Sequence, residues 1–312
     1  MKPAAFEYHA PRAVDEALDL LAAHGDDAKV LAGGQSLVPL MNMRLARPRV
    51  IVDINRTRGL AGLREAQGML RIGSMVRQRA AERSALIASR CPLLRDALTW
   101  VGHPQIRNRG TVGGSVAHAD PAAEIPAVLA ALGGEVTVRS TRASRTIRAA
   151  DLFVTYLTTA IDARELLTEV RVPVMPRAAG WSWMEIARRH GDFALAGVGV
   201  MLVLRGGVIA DARIGLTGVG PTPVRAEAAE RLLARQRPAE PLWRQAADAV
   251  RAAINPDGDI HASADYRRHV AGVLTVRALR EAYGRAGVPR RSRGAKPPSR
   301  GRSLRPPGGK AA

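Results

Sequence analysis

The sequence predicts an α+β fold in two unequal domains, and three observations carry that reading. Near the N-terminus two apolar strand runs, 30–31 and 50–54, flank a helical segment, 37–45, in β–α–β order. A hairpin and two alternating strand runs then share residues 60–174 with helices. Past Pro173 and Pro176, three strand runs follow one another before a series of helices. Alternating strands and helices favour parallel pairing, whereas runs of strands favour antiparallel pairing. The expected architecture is a two-part N-terminal domain, 1–176, made of a small β–α–β part and a mainly antiparallel sheet with helices. A C-terminal domain, 177–286, of a three-stranded antiparallel sheet and a helix bundle follows, and then a disordered basic tail, 287–312.

Each element has a local cause. Ala17, Leu18, Leu20 and Leu21 have the spacing of an amphipathic helix over 14–23, closed by Gly25. Ser36 stands where an N-cap precedes the helix 37–45, and Pro39 in its first turn lacks an N–H that would be unpaired there. The strands on either side are expected to be parallel, with a right-handed crossover. Residues 63–66, the turn Gln67-Gly68 and residues 69–73 read as a hairpin. Helices at 93–100 and 122–132 follow, and residues 135–139 and 166–173 alternate as half-buried strands do. Residues 183–188, 197–204 and 208–216 form the three-stranded sheet, the last two joined at Gly206-Gly207. Helices near 226–233, 242–254 and 266–283 complete the chain.

Two glycine doublets carry the chemistry. The first is Leu31-Ala32-Gly33-Gly34-Gln35-Ser36-Leu37, at the end of an apolar strand and the start of a helix. The second is Thr111-Val112-Gly113-Gly114-Ser115, followed by His118, Asp120-Pro121 and Glu124. Glycine adopts positive φ and lets neighbouring N–H groups line a concave anion nest, and small hydroxyl side chains add donors. The spacing differs from the G-x-G-x-x-G fingerprint, so a Rossmann turn is excluded. Two such loops suit the two halves of a pyrophosphate, and FAD is the simplest dinucleotide to fill them.

Composition sets the outer limits. With 312 residues and 46% hydrophobic content the chain can build two cores. No apolar run reaches the ~18 residues of a membrane span, and the N-terminal residues have no apolar signal region, so a cytoplasmic location is expected. The single cysteine, Cys91, allows no internal disulfide and no iron–sulfur cluster, which normally takes four thiolates. About half of the formal charge of +19 lies at one end, with nine basic and no acidic residues from Arg285 onward. No aromatic is interleaved there, so a stacking platform for bases is missing. Nucleic-acid association rests on that tail alone.

Here the residues resemble a family. Ala32-Gly33-Gly34-Gln35-Ser36, Ile106-Arg107-Asn108-Arg109-Gly110-Thr111-Val112-Gly113-Gly114-Ser115, Ala119-Asp120-Pro121, Arg188-Arg189-His190-Gly191-Asp192-Phe193-Ala194, Pro223-Val224-Arg225-Ala226 and Tyr266-Arg267-Arg268-His269 occur in the order seen in the FAD-binding medium subunits of molybdenum hydroxylases, of the carbon monoxide dehydrogenase and xanthine dehydrogenase type. The resemblance implies that residues 31–37 hold the pyrophosphate, that Thr111, Gly114, Ser115 and His118 complete the cradle, and that Glu124 lies near the adenosine ribose. It implies further that Leu167 lies beside the adenine or flavin, and that Asp192 and Phe193 approach the isoalloxazine. Gln35 stands where the family often has His, so FAD is expected to be non-covalent, and Phe193 stands where it often has Tyr, so a hydroxyl contact is lost there. Glu185 stands where some relatives have Lys. The implied partners are a [2Fe–2S] small subunit and a molybdopterin large subunit, which carry those cofactors. The implied acceptor is a quinone, a nicotinamide or another oxidant, and the complex could sit peripherally at the inner face of the membrane.

Plainer readings stand beside these. His118 can be a loop residue at a helix end, Asp120 an N-cap, Phe193 a core residue, Arg107 and Arg109 surface residues, and Cys91 a small buried side chain. A stand-alone flavin oxidase of a related fold is the alternative enzyme, and it would need acid/base groups in a substrate pocket.

Overall fold

The apolar spacing builds the β–α–β unit, with one strand more than expected. In the computed structural model, which describes residues 1–286, the unit runs β1 (Glu7–His9), α1 (Val14–His24), β2 (Ala28–Leu31), α2 (Leu37–Asn42) and β3 (Val50–Asp53). The tail expected at 287–312 lies outside the described residues. The sheet order is β1-β3-β2, with both pairings parallel. Glu7-Tyr8-His9 carries no apolar alternation, which is why β1 is invisible to a pattern reading. Ala17, Leu18 and Leu21 of α1 pack on Val50, Val52 and Ile54. Helix α2 ends at Asn42 rather than 45, and Arg44 follows at φ 59°.

The second part runs β4 (Leu63–Ala66), β5 (Met69–Gly73), α3 (Gln78–Arg83), α4 (Ala85–Arg90), α5 (Pro92–Leu98), α6 (Pro104–Arg109), α7 (Val112–His118) and α8 (Glu124–Leu132). It continues through β6 (Glu135–Arg139), β7 (Ser144–Arg148), α9 (Ala149–Leu152), β8 (Phe153–Thr155), β9 (Thr158–Thr159) and β10 (Leu166–Pro173). Its five-stranded sheet has the order β4-β5-β10-β6-β7, antiparallel throughout, so the last strand in sequence lies at the centre. Leu70, Ile72, Val136, Val138 and Val170 of this sheet share a core with Leu93, Leu94, Leu98, Ile125 and Leu129 of the helices. Cys91 is fully buried in the same core.

The C-terminal sheet has four strands, not three: β11 (Gly180–Ile186), β12 (Ala196–Arg205), β13 (Val208–Thr217) and the two-residue β14 (Val224–Arg225), in that order. Two residues are too few to show a period, so β14 escapes a sequence reading. Helices α10 (Glu227–Leu233), α11 (Glu240–Ala253) and α12 (Ala264–Arg285) cover one face, on Val198, Val200, Leu202, Ile214 and Leu216. The other face meets the first domain, with Trp183 and Met201 inside the core of that domain. Glycines keep this face flat: a Cβ at Gly215 would stand 2.5 Å from the Ala127 carbonyl oxygen of α8.

Candidate functional site

Strand β2 delivers the chain into the first glycine loop. Gly34 turns it at φ 73°, in the left-handed region that glycine enters without a Cβ penalty. The N–H groups of Gly34, Gln35, Ser36 and Leu37 have no hydrogen-bond acceptor among the described residues; Val38 is the first to bond back, to the Gly34 oxygen at 3.1 Å. Four successive free donors are what an anion nest requires. Ser36 is exposed and its side chain makes no cap bond, contrary to the N-cap expectation. The Gln35 amide donates to the Gly33 oxygen at 3.0 Å and so closes the loop on itself.

The second loop is built differently. Val112 N–H bonds to the Val76 oxygen and Gly113 N–H to the Ser74 oxygen, both at 3.0 Å. Gly114 N–H donates to the Thr111 hydroxyl oxygen at 2.9 Å, and Ser115 N–H to the Thr111 carbonyl at 3.1 Å. Thr111 is therefore the N-cap of α7, and the donors from Val112 to Ser115 are already used. What this loop leaves uncommitted among the described residues is the side chains of Ser115 and His118, and none of residues 111–118 lines the cavity beside the first loop. His118 closes α7, half-buried, before Ala119 at φ 51°. Asp120 is not an N-cap: its carboxylate accepts from Ala122 N–H at 2.8 Å in a turn, and the residue preceding α8 is Ala123.

The two loops meet backbone to backbone. A Cβ on Gly33 would lie 2.6 Å from the Arg109 oxygen and 2.7 Å from the Gly110 Cα, so no larger residue fits without parting them. A relay of polar groups braces the junction. Asn55 Nδ2 donates to the Ala32 oxygen at 2.8 Å, and Arg77 donates to Asn55 Oδ1 at 2.7 Å and to the Arg109 oxygen at 2.5 Å. Asp53 accepts from the Tyr8 hydroxyl at 2.6 Å and from Asn55. Partial burial opposes the Asp53 charge, but these hydrogen bonds hold its carboxyl below the ordinary value. The cavity over this junction, about 400 Å³, is lined by residues 31–35, Val38, Pro39, Asp53, Asn55 and Arg109. Sequence reasoning misses Asp53, Asn55 and Arg77. The one available signal is polar residues at the exit of β3, beside the exit of β2.

Other candidates lie farther off. Leu167 is buried in the core opposite Val138. Phe193 is no core residue; it is 75% exposed, on a loop that rests against the segment after α5 through a Trp100–His190 ring contact at 4.7 Å. Asp192 is half-buried on the same loop, 3.8 Å from Arg189. Arg107 is not a surface residue either: it is buried, pairs with Glu82 at 2.9 Å and donates to the Val101 and Gly102 oxygens. Arg109 is exposed at the cavity edge. Glu124 is buried at the first position of α8, and burial followed by the neighbouring Asp120 charge pushes its carboxyl up to about 8. Among the described residues no cluster of three or more His, Cys, Asp or Glu could hold a metal ion, and no helix is long and apolar enough to cross a membrane.

The first loop thus offers free backbone donors to a diphosphate, Arg109 offers a cation, and the apolar wall of Leu31, Val38 and Pro39 offers a surface for a ring. Those residues fit FAD. Comparison with known proteins agrees. Residues 4–175 match the FAD binding domain in molybdopterin dehydrogenase, and residues 181–282 match the CO dehydrogenase flavoprotein C-terminal domain. The chain belongs to this family of FAD-binding medium subunits of molybdenum hydroxylases. It is 42% identical to the 6-hydroxypseudooxynicotine dehydrogenase complex subunit alpha of Paenarthrobacter nicotinovorans, over 92% of this chain and 97% of that one. It is 38% identical to the carbon monoxide dehydrogenase medium chain of Hydrogenophaga pseudoflava, over 91% and 99%. The solved carbon monoxide dehydrogenase of Hydrogenophaga pseudoflava superposes with a TM-score of 0.90 at 40% identity, covering 92% of this chain and 100% of that chain.

Proposed function

We propose that this chain is the flavoprotein subunit of a heteromeric molybdenum hydroxylase working in the cytoplasm. In this reading it takes electrons from a [2Fe–2S] small subunit and passes them to a quinone, a nicotinamide or another external acceptor. Substrate oxidation then falls to a molybdopterin-bearing large subunit. The observation that carries the reading is the first loop, whose four free N–H groups lie beside Arg109 at the junction with the second glycine loop. FAD, when bound, supplies the redox chemistry. The chain's own residues do the rest. The 31–37 loop grips the diphosphate, and Ser115 and His118 border it from the second loop. Asn55 and Arg77 hold both loops in register, and exposed Phe193 offers an aromatic face to the ring system. Binding is non-covalent, since Gln35 supplies no nucleophile for a flavin bond.

Two measurements test this. The purified full chain should carry a flavin spectrum, and acid precipitation should release the yellow cofactor into the supernatant. Affinity purification from the native host should bring down two further chains, one with iron–sulfur and one with molybdopterin. Colourless protein that takes up no FAD would sink the cofactor assignment, and flavoprotein that purifies alone would favour a stand-alone oxidase.

A further inference from the structure

Glu185, Gly197 and Thr217 lie side by side on β11, β12 and β13, in direct register. This row sits on the sheet face turned to the first domain. Gly197 leaves a lane in its middle: a Cβ there would stand 2.8 Å from Thr217 Cγ2, 3.3 Å from the Trp183 ring and 3.4 Å from Glu185 Cγ. The N-terminal end of α8 lies over this lane. The Thr217 hydroxyl bonds the Pro121 and Ala123 carbonyls, at 2.8 and 3.0 Å, and Gly218 N–H also bonds Pro121. Glu124, the first residue of α8, follows directly on the carbonyl that Thr217 bonds, at the seam between the two domains, near enough for its charge to act on Glu185, and both residues are more than nine-tenths buried.

Among the described residues no cation forms an ion pair with either carboxyl. Glu185 Oε2 accepts from the Trp183 indole N–H at 3.1 Å, but its Oε1 is buried without a partner among the described residues. Glu124 feels Arg107, whose guanidinium is committed to Glu82 and two carbonyls, and it also feels the repelling like charge of Asp120. Two carboxylates cannot both stay ionised in such a place without a large desolvation and repulsion cost. Burial first, and then the Glu124 charge, raise Glu185 as well. Along the chain, Glu124 follows the turn after α7, and Glu185 stands at the end of β11 that leads into the loop bearing Asp192 and Phe193.

We propose that Glu124 and Glu185 share a proton and form an acid pair beside the flavin site, so that flavin affinity is linked to proton binding at these two carboxyls. The hydroxyl of one acid donates to an oxygen of the other. Loss of that proton to solvent leaves an added negative charge next to an anionic cofactor, which weakens its hold. The linkage rests on the flavin reading above, whereas the shared proton does not.

Infrared difference spectra of the full chain, freed of flavin, test the pair directly. At neutral pH the carbonyl stretch of a protonated carboxylic acid should be present, should shift in D2O, and should be lost or displaced in Glu185→Gln and in Glu124→Gln. Its absence from the wild type, or its survival unchanged in both variants, would overturn the pair. For the linkage, the FAD dissociation constant of the wild type should rise about tenfold for each pKa unit of coupling as the pair ionises, and Glu185→Gln should flatten that rise. Equal slopes in the two proteins would overturn the linkage. A protein that shows the band but binds no FAD at any pH would overturn the linkage together with the flavin reading and leave the shared proton standing.

Discussion

At Gly33 a single methyl group decides whether the two loops can touch. A Cβ at this position falls against backbone, the Arg109 oxygen and Gly110 Cα, neither of which can rotate away. Gly33→Ala should cost about 1–3 kcal/mol of stability through overpacking and should strip most of the flavin. A flavin-to-protein ratio and melting temperature equal to wild type would show that the loops need no such contact. Asn55→Leu keeps the volume but leaves the Ala32 oxygen and one Arg77 donor unpaired, at a cost of about 1–3 kcal/mol. Flavin titration should show weaker binding, and unchanged affinity would remove Asn55 from the brace. The glycine doublets are legible because glycine pairs punctuate the chain between apolar runs. Asn55 and Arg77 are not, since no spacing rule ties positions 55 and 77 to positions 32 and 109. The Glu124–Glu185 pair bears on pH. Both groups have raised pKa values in the fold, so the folded chain binds more protons than the unfolded one above the ordinary glutamate range. Their contribution is complete below that range and is lost as pH rises toward about 8 to 9. The melting temperature should therefore fall across this window, and Glu185→Gln should flatten the fall; parallel curves would refute it.

Among the elements, α7 is the short helix on which the second loop depends. Thr111→Ala removes the acceptor for Gly114 N–H and should cost about 1 kcal/mol. Serine at the same position should restore most of it, and denaturant titration of the three proteins would tell. The long elements are readable from pattern. Strands β12 and β13, the hairpin of β4 and β5, and helices α11 and α12 all persist long enough for a period to show. Strand β1 is not readable because it is set by a partner far along the chain, β3, and β14 is not because its two residues are too few to show a period beside the neighbouring β13. Helix α6 escapes for a related reason: its six residues are largely polar, and its buried Arg107 is held by Glu82 from α3.

At the scale of the whole molecule the two domains share a core. Trp183 and Met201 of the C-terminal sheet lie in the cluster built by α5, α8 and the five-stranded sheet, and the acid pair and Thr217 lie in the same interface. Unfolding one domain alone would strip that apolar face, so calorimetry should record one cooperative transition. Two resolved transitions would mean that the domains melt independently. The arrangement of the five-stranded sheet reaches further, into the order in which the protein is made. Strand β10 is the last of the first domain to leave the ribosome, yet it pairs with β5 on one side and β6 on the other, and Ser74 beneath the second loop bonds back to Thr168 within it. Until residue 173 has emerged, the platform under the second loop is an open pair of half-sheets, whereas the sheet that carries the first loop is complete by residue 53. Synthesis proceeds from the N-terminus at about 5–20 residues per second, so the cofactor meets both loops on closed sheets only once more than half of the 312 residues have been made, and flavin capture follows the folding of the first domain rather than starting it.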